Sequence, residues 1–285
     1  MSIPASDLWR YYPRLAALLL VVLLVTPVYA AQPPPLQMGV LPYLSSERLF
    51  EKFLPLKDYL EAQLKRRIVL STAPDFKTYV QRATRGDYDI YFTAPHFALL
   101  AETEQSYRRV SRFTRDLDGL VVVRRDSAVQ RPEDLRGRLV ITPAALAITS
   151  ILGEQLLREH GLMPGKDYRL ARTISHDNAV LTVYRRAADA AIIYTSAFED
   201  APVEVKQGMR ILTRTSQVPN TMFMAHARLP TAEYRRLKSA LLAFTRDGPG
   251  QKFFESPGLG DMGAITNADM NRLRPFLRAT QERLK

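Results

Sequence analysis

The chain of 285 residues has no cysteine, which excludes disulfide bonds and thiolate chemistry together. Beyond residue 30 it has no apolar run approaching the ~20 residues that a membrane-crossing helix needs. Three catalytic signatures are also missing. There is no Gly-x-Ser-x-Gly nucleophile elbow, no phosphate-cradling Gly-x-x-x-x-Gly-Lys loop and no His-Glu-x-x-His metal pair. Gly258-Leu259-Gly260-Asp261-Met262-Gly263 has dinucleotide-loop spacing, but it follows a helical stretch instead of a strand and reads as a flexible loop. Repeats are absent, and the only biased tract is Pro33-Pro34-Pro35. Acidic residues are few, 29 against 40 Lys and Arg, for a net charge of +11.

The N-terminus carries the strongest local signal. Arg10 and Arg14 precede a nearly unbroken apolar run, Leu15 to Val25, which ends in Val28-Tyr29-Ala30-Ala31. A basic start, a short apolar core and small exit residues form a secretory signal peptide over residues 1–30, with cleavage expected near Ala30 or Ala31. The alternative is an uncleaved anchor. Either way the folded part lies outside the cytoplasm, which argues against ATP and NAD(P)H chemistry and against nucleic acid as a partner. Excision removes Arg10, Arg14 and Asp7 and leaves +10, a basic surface suited to anionic solutes or anionic lipid. The 46% hydrophobic content supplies the core that an export product without disulfides needs.

After a linker at 31–36, apolar patterning predicts strands at 37–43, 67–71 and 88–92, alternating with helices at 47–64, 75–84 and 96–102. Gly119 to Val123 reads as a strand crossing to a second lobe. Further strands are expected at 139–141, 168–173, 190–194, 210–215 and 221–225, the last returning the chain to the first lobe. Helices are expected from 143 to 159, at 177–186, 232–245, 251–255 and 267–284. The alternation implies α/β lobes with largely parallel sheets, whose ligands sit beyond the carboxyl ends of strands. The expected division is 37–120 with 225–285 as one lobe and 121–224 as the other.

Several stretches in this order resemble the phosphate, phosphite and phosphonate-binding group of periplasmic substrate-binding proteins that serve ABC importers. They are Gly39-Val40-Leu41-Pro42-Tyr43, Phe53-Leu54-Pro55-Leu56 with Tyr59-Leu60, and Arg85-Gly86-Asp87-Tyr88-Asp89-Ile90. Then come Asp126-Ser127 with Pro132-Glu133-Asp134-Leu135-Arg136-Gly137, Ser175-His176-Asp177, and Ala188-Asp189-Ala190-Ala191. The resemblance implies a type II periplasmic binding protein fold, two α/β lobes joined by two crossover strands at the hinge, with a small anionic ligand in the cleft.

In that family a Ser-Thr-Ser-Gly-like turn at a helix start holds the ligand through hydroxyls and N–H groups. Here the region reads Thr142-Pro143-Ala144-Ala145-Leu146-Ala147. Thr142, Ala144 and Ala145 are therefore expected to contribute mainly backbone donors, and phosphate is expected to bind weakly. The departure suggests a less polar guest, a carboxylate or an organic molecule with an acidic end. The other candidate ligand contacts are Tyr43, Thr93, His96, His176, Asp189 and Tyr194. Tyr43 offers a phenol or a stacking face, His176 a ring nitrogen at a helix start, and Asp189 a carboxylate that could equally serve a turn.

The leading expectation is a monomeric solute-binding protein that delivers its ligand to an ABC permease, without catalytic residue, metal or cofactor. One alternative is a sensor signalling in trans to a membrane kinase or cyclase, since the chain stops at Lys285 without an effector domain. Another is a lyase or dehydratase using His176 and a carboxylate.

Overall fold

The computed structural model describes residues 33–173, 175–244, 248–254 and 259–285. The expected leader, Glu255 of the 251–255 segment and Gly258 of the glycine loop lie outside them.

The first lobe opens with β1 (Leu36–Val40), α1 (Ser46–Leu64), β2 (Ile68–Ser71), α2 (Phe76–Thr84), β3 (Ile90–Thr93), α3 (Pro95–Glu104) and β4 (Tyr107–Phe113). The second contains β5 (Gly119–Arg124), β6 (Leu139–Thr142), α4 (Ile148–Glu159), β7 (Arg169–Arg172), α5 (His176–Tyr184), β8 (Ala190–Tyr194), α6 (Thr195–Glu199), α7 (Val203–Gly208) and β9 (Met209–Arg214). The chain then returns through β10 (Met222–His226), α8 (Thr231–Ala243), β11 (Met262–Gly263) and α9 (Asn267–Leu284).

Among the described residues the strands form two sheets, in the orders β11-β4-β10-β3-β1-β2 and β7-β6-β8-β5-β9. Both are mixed, not largely parallel. β1, β2 and β3 run parallel, as do β6, β7 and β8. The strands that follow each crossing, β5 and β10, enter antiparallel to their neighbours. The crossing segments 114–118 and 215–221 meet as a two-rung ladder, Leu117 and Val218 exchanging N–H···O bonds of 2.8 and 2.9 Å.

Local chemistry explains the elements. Leu49, Phe53, Leu56, Leu60 and Leu64 line the buried stripe of α1, and the Asp75 side chain caps α2 at Thr78 N. Thr266 and Asp269 form a reciprocal capping box that starts α9. The sequence reading has no strand at 107–113. There a bulge sets Val110 opposite the Phe223/Met224 step, so Val110 and Ser111 are both buried and the alternation is lost. The three arginines of β4 lie flat: Arg108 stacks 4.2 Å from the Tyr234 ring, Arg109 grips Glu102, and Arg112 pairs with Asp269. The sequence pattern gives only a loop at β11, because two residues pairing with the edge of β4 leave no periodic trace.

The central strand β5 of the second sheet is buried on both faces. Leu120 and Val122 join one cluster and Val121 and Val123 the other. The first lobe's core reaches into the second, taking in Leu146, Ala147, Ile148, Ile151 and Leu152 from the α4 region. Among the described residues no helix is long and apolar enough to cross a membrane.

Candidate functional site

The lobes and hinge enclose a cavity of about 320 Å³. Tyr43, Arg48, Lys52 and Phe92 come from the first lobe, Ile148, Thr149, His176 and Tyr194 from the second, and Leu117 and Thr221 from the crossings.

The helix start at α4 is the polar centre of the site. Pro143 and the turn closed by Ala147 N to Ala144 O delay the helix until Ile148. Ala147, the N-cap, has no side-chain oxygen to satisfy the first N–H groups, which helix geometry leaves without backbone acceptors. Thr149, only 2% exposed, lines the cavity, and its Oγ1 has no hydrogen-bond partner. A buried hydroxyl without a partner costs about 1–3 kcal/mol.

His176 is the first residue of α5, behind the cap Ser175. Its Nδ1 accepts from Tyr194 N at 3.0 Å, which assigns the ring proton to Nε2. Burial holds the imidazole pKa down at about 4, so near neutrality the ring is an uncharged Nε2–H donor on the cavity wall. Burial likewise raises the phenols of Tyr43 and Tyr194, which remain protonated. Tyr43, Tyr194 and His176 are thus gathered on one cavity.

The remaining sequence candidates are placed elsewhere. Thr142 Oγ1 is bonded to Ser150 Oγ at 2.6 Å, and Ser150 also donates to Ala144 O at 3.0 Å. Ala145 O accepts from Arg283. None of Thr142, Ala144 and Ala145 lines the cavity, and the helix begins at Ile148, later than the sequence pattern suggests. Thr93 is fully buried and off the wall, which its neighbour Ala94 reaches instead. His96 is also fully buried, with Nε2 donating to Leu146 O at 2.9 Å. It ties α3 to the turn before α4 across the lobes instead of facing a ligand.

Asp189 has a structural duty with a twin in the other lobe. Its Oδ2 accepts from Leu139 N at 2.8 Å and its N donates back to Leu139 O at 2.9 Å. Asp89 does the same with Gln37, at 2.7 and 2.8 Å. Each aspartate precedes a central strand and sets its register against the neighbour. The Asp-Tyr-Asp-Ile and Asp-Ala-Ala stretches are fold signatures for that reason.

Sequence reasoning missed Thr149, Arg48, Lys52 and Asp200. Thr149 was hidden by the late helix start. The charged three come together only across the cleft. Arg48 Nη1 on α1 meets Asp177 Oδ2 on α5 at 2.6 Å, a rim pair exposed enough to be worth under about 1 kcal/mol. Burial lowers the pKa of Lys52, with Asp200 opposing, and burial raises that of Asp200. The charged side chains on the wall are Arg48, Lys52 and Lys252 against Glu51, Asp177 and Asp200, so formal charge cancels. The uncharged donors on this wall are the first α4 N–H groups and His176 Nε2–H.

Two α/β lobes, two paired crossings and a cavity between strand ends define a type II periplasmic binding protein. Similar folds occur in PhnD1 of Prochlorococcus marinus in complex with methylphosphonate (TM-score 0.78, 13% identity, covering 87% of this chain and 98% of that one). They occur also in a binding-protein component of the ABC phosphonate transporter of Pseudomonas aeruginosa (0.76, 15%, 88% and 89%). XAC2383 of Xanthomonas citri bound to chloride is a third (0.72, 21%, 87% and 98%). Residues 38–270 match the family described as ABC transporter, phosphonate, periplasmic substrate-binding protein, and the chain belongs to that family.

Proposed function

We propose that this chain captures an organic oxyanion of the phosphonate kind between its lobes and hands it to an ABC importer, acting in the periplasm after its leader is cut near Ala30 or Ala31. It binds its guest without turning it over. The supporting observation is the uncapped start of α4, whose first residues Ile148 and Thr149 lie on the wall of a cavity shared by both lobes. Helix N–H groups and the dipole favour an anion there, and His176 Nε2–H adds a neutral donor from the adjacent helix. Closure about the paired crossings would be favoured by a ligand that touches both lobes.

Calorimetric titration of alkyl- and arylphosphonates tests this reading. Thr149→Val, which keeps the shape and removes the hydroxyl, is expected to weaken binding about tenfold or more, since a hydrogen bond to a charged group is worth ~1.5–3 kcal/mol. His176→Ala should weaken it as well. His160→Ala should leave it unchanged, because His160 Nδ1 is paired with Glu133 at 2.7 Å, off the cavity wall. Unchanged affinity in Thr149→Val and His176→Ala would overturn the site.

A further inference from the structure

Resting on the export reading of the leader, we infer that one face of the first lobe docks on the anionic phospholipid surface of the membrane that the chain crosses. The face is built from the end of α1, the edge strand β2 and the outward side of α8, away from the ligand cavity. Three observations carry this. First, the fold joins two basic runs that are far apart in the chain, Lys65-Arg66-Arg67 and Arg235-Arg236-Leu237-Lys238. Arg66 Nη1 meets Glu233 Oε2 at 2.7 Å, one helical turn before Arg236. Tyr59 OH donates to Ala240 O at 3.1 Å, so α1 and α8 lie side by side.

Second, these charges are left for a partner outside the chain. Elsewhere on the surface arginines meet carboxylates, as Arg85 meets Asp87, Arg228 meets Asp89 and Arg278 meets Glu282. Lys65, Arg67, Arg235, Arg236 and Lys238 have no side-chain hydrogen bond or ion pair among the described residues, and all but the half-buried Lys238 are exposed. The carboxylates of this end are already engaged: Glu233 by Arg66, and Glu61 by Lys57 at 2.9 Å and by Ile68 N at 2.6 Å. Positive charge spread over two helices and a strand edge suits an extended anionic surface better than a single ion. Apolar side chains stand among the cations. Leu242, seven residues after Arg235 and so on the same face of α8, is 37% exposed, and Val69 on β2 is 39% exposed. Basic residues interleaved with apolar ones are the composition of a helix face that settles at the headgroup boundary.

Third, the chain leaves its leader at this face. Leu36 N donates to Arg67 O at 2.9 Å, which fixes the start of β1 beside the patch. Residues 31–35 span at most about 18 Å, so until cleavage the patch stays within that reach of the leader's end.

The test is co-sedimentation of the purified mature protein with vesicles of phosphatidylglycerol and phosphatidylcholine in equal parts, against phosphatidylcholine alone. At low salt the protein is expected to bind the mixed vesicles and not the neutral ones, and to be released near 1 M salt, where the Debye length is ~3 Å. Arg235→Glu with Arg236→Glu should weaken vesicle binding about tenfold or more. Arg169→Glu with Arg185→Glu makes the same charge change at exposed residues of the second lobe and should stay within about twofold of the unmutated protein. Melting curves confirm folding, and Arg235→Gln with Arg236→Gln replaces the first pair if it unfolds. Equal losses in the two pairs would overturn the patch in favour of net charge. Equal binding to neutral vesicles, no binding at low salt, or binding only to vesicles carrying a reconstituted permease would each overturn anionic lipid as the occupant. Calorimetric titration of the same variants reads ligand capture separately and should show it unchanged.

Discussion

Acidification from pH 7 to pH 4.5 is expected to cost the protein on the order of 2 kcal/mol at each of two buried histidines, before most carboxylates titrate. Burial, reinforced by the Arg283 charge and opposed by the bond to Leu146 O, pushes the pKa of His96 down to about 3; burial alone takes His176 to about 4. Both lie below the ordinary value of 6.5, so the folded state keeps these rings neutral while the unfolded chain takes up protons. The stability they protect is complete above pH 6.5 and drains away as pH falls toward their folded values, at about 1.4 kcal/mol per pKa unit. Two such terms are a large fraction of a typical folding free energy of ~5–15 kcal/mol.

The double variant His96→Gln, His176→Asn isolates the effect. Gln can keep the donor to Leu146 O and Asn an acceptor for Tyr194 N, and neither titrates. Urea unfolding at stepped pH should show a flatter curve between pH 6.5 and 4.5 for the variant. Parallel curves would mean that neither ring is held neutral by the fold.

The second large effect is expected at Gly153, in the middle of α4. Helix propensity alone favours Gly153→Ala by about 1 kcal/mol. Packing opposes it, because an added Cβ would stand 2.3 Å from Ile192 Cγ2 and 2.8 Å from its Cδ1, on the central strand β8. Overpacking of this kind costs ~1–3 kcal/mol, and a contact this short puts the cost at the upper end, so the net change should be destabilising. Ile192→Ala removes the clashing atoms. The double variant should therefore be more stable than the sum of the two single effects implies, by 1 kcal/mol or more. A more stable Gly153→Ala would show that the helix does not need its close seat. That seat sets the height of α4 on the sheet, and so the place of its first turn on the cavity wall.

Much of the architecture was legible because its causes are local. The α1 stripe, the Asp75 and Ser175 caps and the apolar run of β8 each act within a few residues, and the helix at 267–284 starts at its own capping box. β4 was missed because a bulge cancels its alternation, and its arginines look exposed until Tyr234, Glu102 and Asp269 are found beside them.

The site divides the same way. Tyr43, His176 and Tyr194 sit at strand ends or helix starts, which patterning locates, and all three reach the cavity. Asp189, His96 and Thr142 occupy equivalent places in the sequence, yet Asp189 Oδ2 is held by Leu139 N, His96 Nε2 by Leu146 O and Thr142 Oγ1 by Ser150 Oγ, all off the cavity wall. Residue order settles which segments become strands and helices, because hydrophobic period and end-capping are short-range. Which polar atoms are already satisfied depends on partners 50 or more residues away in the chain, as for His96 and Leu146, Asp189 and Leu139, or Ala145 and Arg283. Those partners meet only in the folded chain, within a lobe for Asp189 and Leu139 and between lobes for His96 and Leu146.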